Sequence, residues 1–280
     1  LSIAVSAYLS PLLTRQWFME FVLHILAGAV VGFAIGLSGV GGGSLMTPLL
    51  LLFGYSAPVA IGTDLLYAAI TKAGGALSHH RRGNVDWKIV LLLASGSIPV
   101  SILLHGTLLN SAFQESPEFE ELLTLSLGVM LITTAIILIF RDKMRSSAVE
   151  EKPEFFMQPV HRYRAAVTLV MGLLLGVCVT LSSVGAGAFG AAILLMIYSQ
   201  TTAVRIIGTD IAHAVPLTFI AGLGYLLAGY VDLMLLVSLL LGSLPAIHVG
   251  SRISNQVPDR YLLTLLTAIL LSLGFYYILF

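Results

Sequence analysis

Charged side chains are scarce in this 280-residue sequence, at 10% of all residues, while hydrophobic residues make up 58%. A soluble core of this size does not need so much apolar sequence, because globular chains are only about 45–50% apolar. Many windows instead reach the ~20 apolar residues that a helix needs to cross a bilayer. The composition therefore predicts an all-α polytopic membrane protein that contacts membrane lipid.

A single cysteine, Cys178, excludes an internal disulfide and a thiolate metal cluster. The formal net charge of zero gives no support to nucleic-acid binding. His79 and His80 are adjacent but lack a cluster of further metal ligands, so they indicate a metal site only weakly. We expect no cofactor and no metal. No basic stretch precedes Leu1–Thr14, which we interpret as an apolar or interfacial piece interrupted by Pro11, not as a signal peptide.

Glycine is abundant, with 27 residues, and its densest cluster interrupts apolar sequence. Gly39, Gly41, Gly42 and Gly43 follow the apolar run Trp17–Leu37. The next apolar piece is too short to span a bilayer, and a long apolar run follows it. A weaker glycine break, with Gly185 and Gly187, is likewise followed by a short apolar piece and then by a long apolar run. The short pieces are Leu45–Phe53 and Ala188–Tyr198, and the long runs after them are Ala57–Leu77 and Ala203–Leu227.

Three further landmarks recur at one constant offset. Ile61–Asp64 pairs with Ile207–Asp210, Gly83–Asp86 with Gly229–Asp232, and Gly96–Pro99 with Gly242–Pro245. The pattern predicts two related halves, residues 1–140 and 165–280, joined by a cytoplasmic linker at 141–164. Each half is expected to hold three full spans plus a broken helix and short half-helix pair. The remaining predicted spans are Lys88–Leu109, Leu122–Phe140, Leu233–Val249 and Tyr261–Phe280, and the first helix of the second pair is Ala165–Leu181.

The positions of the basic residues predict the orientation of the halves. Lys and Arg concentrate in cytoplasmic loops, which places the loop at 79–88 inside and the acidic loop at 110–121 outside. Arg205, Arg252 and Arg260 then fall inside only if the second half is inverted. We therefore predict inverted-topology repeats. Inverted repeats with broken helices that meet near the midplane are typical of secondary transporters, which move substrates by alternating access.

Three charged residues lie deep within the predicted spans, away from the span ends. Asp64 and Lys72 share one helix face, and the equivalent face of the second half carries Asp210 and His213. A charge at this depth costs about 2.5–3.5 kcal/mol. We expect Asp64 and Asp210 to bind or carry a coupling ion, either H⁺ or Na⁺, and Lys72 to contact an anion. The alternatives are that the carboxylates accept N–H bonds from the broken segments and that Lys72 pairs with a buried carboxylate.

Exposed N–H groups after the glycine breaks favour a small anion at a helix N-terminus, and nearby hydroxyls add donors. Close helix packing is the alternative use of these glycines. Asp86 and Asp232 open helices after tight loops, and Ser56 precedes another helix, so we predict that all three are N-caps. The predicted substrate site comprises Ser38, Gly39, Gly41, Gly42, Gly43, Ser44, Thr63, Lys72, Ser182, Ser183, Gly185, Gly187, Thr209 and His213.

Two other functions compete with a coupled transporter. Gly36–Gly39 is a G-x-S-G string similar to the nucleophile motif of rhomboid intramembrane proteases, with His213 as the conceivable base. The equivalent second-half string is Leu181-Ser182-Ser183, and one active site does not require a whole-chain repeat. A passive anion channel or facilitator is the closer alternative, and its flux would not depend on an ion gradient.

The runs GLSGVGGGSLMTPLL, AIGTDLLYAAITKAGGALSHHRRGNVDW and GSIP resemble the TauE/SafE sulfite exporter family. The resemblance extends from about Trp17 to the C-terminus. It implies a bacterial inner-membrane, multi-pass transporter, not an enzyme, for sulfite, sulfonates or related organosulfur anions. Many members have Gly-Thr-Ser where this chain has Gly62-Thr63-Asp64, so the extra acid indicates proton coupling or another substrate. The exact substrate, direction of transport, coupling ion and oligomeric state stay open.

Overall fold

The computed structural model describes the backbone of residues 2–38, 45–108, 114, 116–147, 163–198, 200–253 and 259–279. Side chains are described within these ranges from residue 19 onward, except at 38, 108, 141–147, 188 and 259–263. The ordered elements of these ranges are all helices, as the sequence predicts. They are α1 Ser2–Ser38, α2 Met46–Leu52, α3 Ala57–Arg81, α4 Trp87–Leu108, α5 Pro117–Ser147, α6 Arg164–Ser182, α7 Ala188–Ile197, α8 Ala203–Leu227, α9 Leu233–Ile253 and α10 Asp259–Leu279.

Within the described ranges, six helices are long and apolar enough to cross a membrane. They are α1, α4, α5, α6, α8 and α9. Although α3 has 25 residues, it carries Asp64, Lys72 and a basic last turn, which lower its mean hydropathy. The protein is therefore a multi-pass integral membrane protein.

The two short helices lie where the glycine breaks predict them. With 7 residues in α2 and 10 in α7, and about 1.5 Å of rise per residue, neither crosses a bilayer alone. The helix α1 runs from Ser2 through Pro11 to Ser38, so the predicted interruption at Pro11 is wrong. Proline removes one N–H donor, but its fixed φ is compatible with a helix.

The predicted linker at 141–164 is partly helical, because α5 continues to Ser147 and α6 begins at Arg164. A helix can continue past the last apolar residue, since its backbone hydrogen bonds do not depend on side-chain polarity. Residues 148–162 lie outside the described residues. The division into halves at 1–140 and 165–280 stays a prediction.

Two helix pairs are in direct backbone contact through glycine. On α1, a Cβ added to Gly28 or Gly32 would overlap the backbone of Leu239 or Ser243 on α9. On α6, a Cβ at Gly172 or Gly176 would overlap Leu93 or Ser97 on α4. Small residues at this spacing let two helix backbones approach closely. In both pairs, one helix comes from each half of the sequence.

The central helices α3 and α8 run in opposite directions. Gly62, near the start of α3, contacts Tyr225 near the end of α8, and Gly208, near the start of α8, contacts His79 near the end of α3. Gly208 follows Gly62 by 146 positions, and Tyr225 follows His79 by the same number. In inverted repeats, equivalent helices run in opposite directions, as α3 and α8 do. The inverted topology itself stays a prediction, because it depends on which side of the membrane each end faces.

Two of the three predicted N-caps are confirmed. Asp86 Oδ1 accepts a hydrogen bond from Lys88 N at 3.1 Å, and Asp232 Oδ1 accepts one from Leu235 N at 3.0 Å. Ser56 makes no side-chain cap, so that prediction is wrong. The N-terminus of α3 is instead bound from α5, where Glu120 Oε1 accepts a hydrogen bond from Ala57 N at 3.1 Å.

Cysteine labelling tests the inverted topology. In a Cys178→Ser background, we introduce Arg82→Cys at the end of α3 and Ala228→Cys at the equivalent end of α8. A membrane-impermeant maleimide applied to sealed right-side-out vesicles should label Ala228→Cys at once and Arg82→Cys only after permeabilisation, read as a gel shift. Labelling of both residues from the same side would contradict the inverted arrangement.

Gly32→Val should lower the thermal unfolding midpoint in detergent, because its side chain would overlap the backbone of Ser243. Overpacking of this kind costs about 1–3 kcal/mol. The matched control is Gly74→Val, since a Cβ at Gly74 would meet no atom within 4 Å. Equal midpoints for the two variants would argue against a close α1–α9 contact.

Candidate functional site

Four ionisable side chains are buried on α3 and α8, the two central helices that pack in opposite directions. The exposed fraction is 0% for Asp64, 6% for Lys72, 1% for Asp210 and 0% for His213. Asp64 and Lys72 lie on α3, and Asp210 and His213 lie on α8. Because burial of ionisable groups in a membrane protein is costly, they are expected to be partnered or to act on a ligand.

The Asp64 carboxylate lies at the N-terminus of the short helix α2. Its Oδ2 accepts hydrogen bonds from Thr47 N at 3.2 Å and from Thr47 Oγ1 at 2.5 Å. Thr47 is the second residue of α2, where unpaired N–H groups and the helix dipole favour a negative charge. Asp64 thus fixes the half-helix that follows the first break, as one of the two sequence interpretations expects. Whether it also binds an ion stays a prediction.

Asp210 has the equivalent position in the second half. Its carboxyl interacts with the backbone of Gly187, the residue that precedes α7. Its Oδ1 also occupies the space that a Cβ at residue 190 would need, so glycine is required there. Each aspartate therefore lies at the N-terminus of the short helix of its own half.

The second glycine break has a left-handed backbone. The φ angles are 58° at Ser183, 121° at Gly185 and 130° at Gly187, and the last two values are sterically open mainly to glycine. Ser182 Oγ donates to Cys178 O at 2.6 Å and accepts a hydrogen bond from Val184 N at 3.2 Å, which holds the end of α6.

The first glycine break falls outside the described residues. The predicted site residues concerned are Gly39, Gly41, Gly42, Gly43, Ser44 and the side chain of Ser38.

Lys72 extends from α3 to the second break, where its Nζ donates to Ala186 O at 3.0 Å. Its electrostatic interaction is strongest with Asp210 and weaker with Asp64. In the part of the chain that is described, however, the ion pair within 4.0 Å is Arg205–Asp86, at 3.4 Å. Lys72 thus lies between two carboxylates without direct contact to either, and the alternative of a direct structural pair is not seen.

His213 and Tyr67 occupy equivalent positions, 146 residues apart. His213 Nε2 lies 2.8 Å from Ser97 Oγ, while its Nδ1 has no hydrogen-bond partner among the described residues. The imidazole interacts electrostatically with Lys72. Tyr67 OH lies beside Ser243, the equivalent of Ser97. We name Asp64, Tyr67 and Ser243 the first half-site, and Asp210, His213 and Ser97 the second half-site.

The two predicted threonines do not share one role. Thr209 Oγ1 donates to Arg205 O at 2.7 Å and accepts a hydrogen bond from Asp86 N at 2.9 Å, so it binds the turn between α3 and α4. Thr63 is fully buried and its Oγ1 has no partner within the described chain. The repeated Gly-Thr-Asp string led to the prediction of both threonines as site residues. Only the aspartates of that string, Asp64 and Asp210, lie at the short helices.

Sequence reasoning missed Thr47, Ser97 and Ser243. Both serines were visible in the repeated strings Gly96–Pro99 and Gly242–Pro245. A side chain that is buried and repeated at the same offset is a signal that could have identified them. Thr47 carried no such signal, because its contact depends on where the first break turns the chain.

Comparison with known proteins gives one family and several relatives. The family model described as "Sulfite exporter TauE/SafE" matches residues 24–277. The chain is 38% identical over 255 residues to the Bacillus subtilis "Probable membrane transporter protein YjnA", covering 89% of this chain and 96% of the relative. It is 31% identical to YdhB of the same organism, covering 85% and 91%.

A "Probable membrane transporter protein" from Methanocaldococcus jannaschii is 26% identical over 94% of this chain and 97% of the relative. No solved structure matches the chain.

The Thr47–Asp64 contact gives a stability prediction. Asp64→Ala should lower the thermal unfolding midpoint, because loss of a helix cap costs about 0.5–2 kcal/mol. Asp64→Asn should lower it less, since an amide oxygen still accepts the bond from Thr47 N. The measurement is thermal unfolding in detergent, with Asp86→Asn as the control at a partly exposed cap. Equal effects of Ala and Asn would show that the carboxyl oxygen does not hold α2.

Proposed function

Since the chain belongs to the TauE/SafE sulfite exporter family of membrane transporters, we propose that it moves a small sulfur-containing anion by alternating access. The substrate class is sulfite, a sulfonate or a related organosulfur anion, and the membrane is the bacterial inner membrane. One observation carries this proposal. The ammonium of Lys72 is buried near both half-sites, and within the described chain it makes no direct ion pair with a carboxylate.

Lys72 provides the positive charge for the anion. One of its three N–H donors binds Ala186 O, and a charge-assisted hydrogen bond to an anionic oxygen is roughly twice as strong as a neutral one. His213 Nδ1, which has no hydrogen-bond partner in the described part of the chain, is a second donor in one tautomer. The anion would bind beside the second break, in contact with Lys72, His213 and the Ser183 hydroxyl.

The charges of the site support coupling to a cation. When all three groups are ionised, Asp64, Asp210 and Lys72 leave one uncompensated negative charge, and a bound anion adds at least one more. Negative charges close together in a medium of low dielectric constant repel strongly. A proton on either aspartate, or a sodium ion beside it, would offset this repulsion. Anion and cation would then bind together and move together.

The packing supports an alternating-access motion. The glycine contacts hold α1 against α9 and α6 against α4, and such close contacts leave little room for sliding within each pair. We therefore propose that each pair moves as a rigid unit. Rocking of these units about the contact between α3 and α8 would expose the two half-sites to opposite sides in turn.

Uptake into proteoliposomes tests the proposal. Radiolabelled sulfite uptake by the wild-type protein should rise when a proton or sodium gradient is imposed, because a cation accompanies the anion. Asp64→Asn should lose the gradient-driven part, and Lys72→Ala should weaken sulfite affinity by at least tenfold, as loss of a charged hydrogen bond costs about 1.5–3 kcal/mol. The matched control is Lys88→Ala, at an exposed lysine that ought to leave uptake unchanged.

Three other outcomes would change the conclusion. Sulfite flux that ignores every gradient would indicate a passive anion channel or facilitator. Unchanged affinity in Lys72→Ala would remove the lysine from the anion site. An absence of sulfite flux together with thiosulfate or organosulfonate flux would keep the transporter and change its substrate.

A further inference from the structure

Four buried oxygen atoms in and beside the first half-site have no hydrogen-bond partner among the described residues. They are Asp64 Oδ1, Tyr67 OH, Ser183 Oγ and Ser243 Oγ. The exposed fraction is 1% for Ser183 and 0% for the other three side chains. Most buried polar atoms in proteins have a partner, so four neighbouring exceptions need an explanation.

These oxygens belong to one cluster. The Ser183 hydroxyl interacts with the Asp64 carboxyl, and Tyr67 interacts with both Asp64 and Ser243. These approaches fall outside strict hydrogen-bond geometry, so the Ser183–Asp64 and Tyr67–Ser243 contacts are at most long, weak hydrogen bonds. They come from α3, from the second break and from α9, and they include one carboxylate and three neutral hydroxyls.

The second half-site differs because it contains a cation that is part of the chain. Lys72 places its ammonium there, with Asp210 as its strongest electrostatic partner. The residue 146 positions after Lys72 is Thr218. Its Oγ1 donates to Ala214 O of its own helix at 2.8 Å. A threonine is also too short to extend to the first half-site as Lys72 extends to the second.

We infer that the first half-site, together with Ser183, binds a sodium ion that takes the place of the missing ammonium. This inference rests on the proposed function and names its coupling cation. Hard cations prefer oxygen ligands, and the four clustered oxygens match that preference. A single carboxylate fits a monovalent ion better than a divalent one. A proton on Asp64 would give a partner to one or two of these atoms, whereas a metal ion contacts all four.

Sodium binding to the full chain in detergent is the first test. The probe is ²²Na⁺ in a scintillation proximity assay, with potassium and choline chloride as competitors. Wild-type protein should bind Na⁺ saturably, and Tyr67→Phe and Ser243→Ala should each weaken its affinity about tenfold. Ser238→Ala is the matched control on α9, since Ser238 Oγ donates to carbonyls of its own helix and should not affect Na⁺ affinity.

The second test adds a fixed cation to the first half-site. Thr218→Lys places an ammonium at the position equivalent to Lys72, so this variant should lose Na⁺ binding and no longer be stabilised thermally by NaCl. Asp64→Asn, which removes the negative charge, should also lose binding. Retained Na⁺ affinity in a folded Thr218→Lys protein would overturn the inference.

The uptake measurement separates this inference from the proposed function. Sulfite uptake that is driven by a pH gradient in sodium-free buffer, with no saturable ²²Na⁺ binding, would overturn the sodium site and leave a coupled transporter. Uptake that responds to neither gradient would overturn both. Uptake driven by an inward sodium gradient at equal pH, and lost in Asp64→Asn, is the expected result.

Discussion

A carboxylate inside a bilayer has no water to donate hydrogen bonds to it, so the protein must provide the donors. This constraint accounts for the positions of Asp64 and Asp210 at the short helices. Each half solves it with the N-terminus of a short helix, which is present only because glycine interrupts the chain. Asp64 accepts from Thr47, and Asp210 lies against Gly187 and Gly190. The breaks and the acids thus depend on each other. A half-helix without its aspartate has unpaired N–H groups, and an aspartate without its half-helix is a bare buried charge.

The two predicted halves differ in chemistry at a few equivalent positions of the site. Tyr67 and Ser243 of one half-site correspond to His213 and Ser97 of the other, and Lys72 corresponds to Thr218. These replacements give one half-site a nitrogen base and an ammonium, and the other only oxygen atoms. In the function proposed above, the two half-sites therefore hold ligands of opposite charge.

Much of the fold could be predicted from the sequence because apolar runs and glycine breaks act locally. The short helices α2 and α7 and the caps at Asp86 and Asp232 follow from such local signals. The contacts of the site do not. Glu120, rather than Ser56, binds the N-terminus of α3, and Lys72 binds the carbonyl of Ala186, 114 residues away. Such pairings depend on how distant helices pack, which no local pattern of the sequence determines.

Ser97 belongs to a helix contact and to the site at the same time. Its backbone rests on Gly176 of α6, and its hydroxyl binds His213 of α8. A small change in the distance between α4 and α6 therefore moves the imidazole as well. A substitution that changes the α4–α6 contact therefore also changes the surroundings of His213. Variation at this contact in related chains should then be accompanied by variation at the residues around the imidazole.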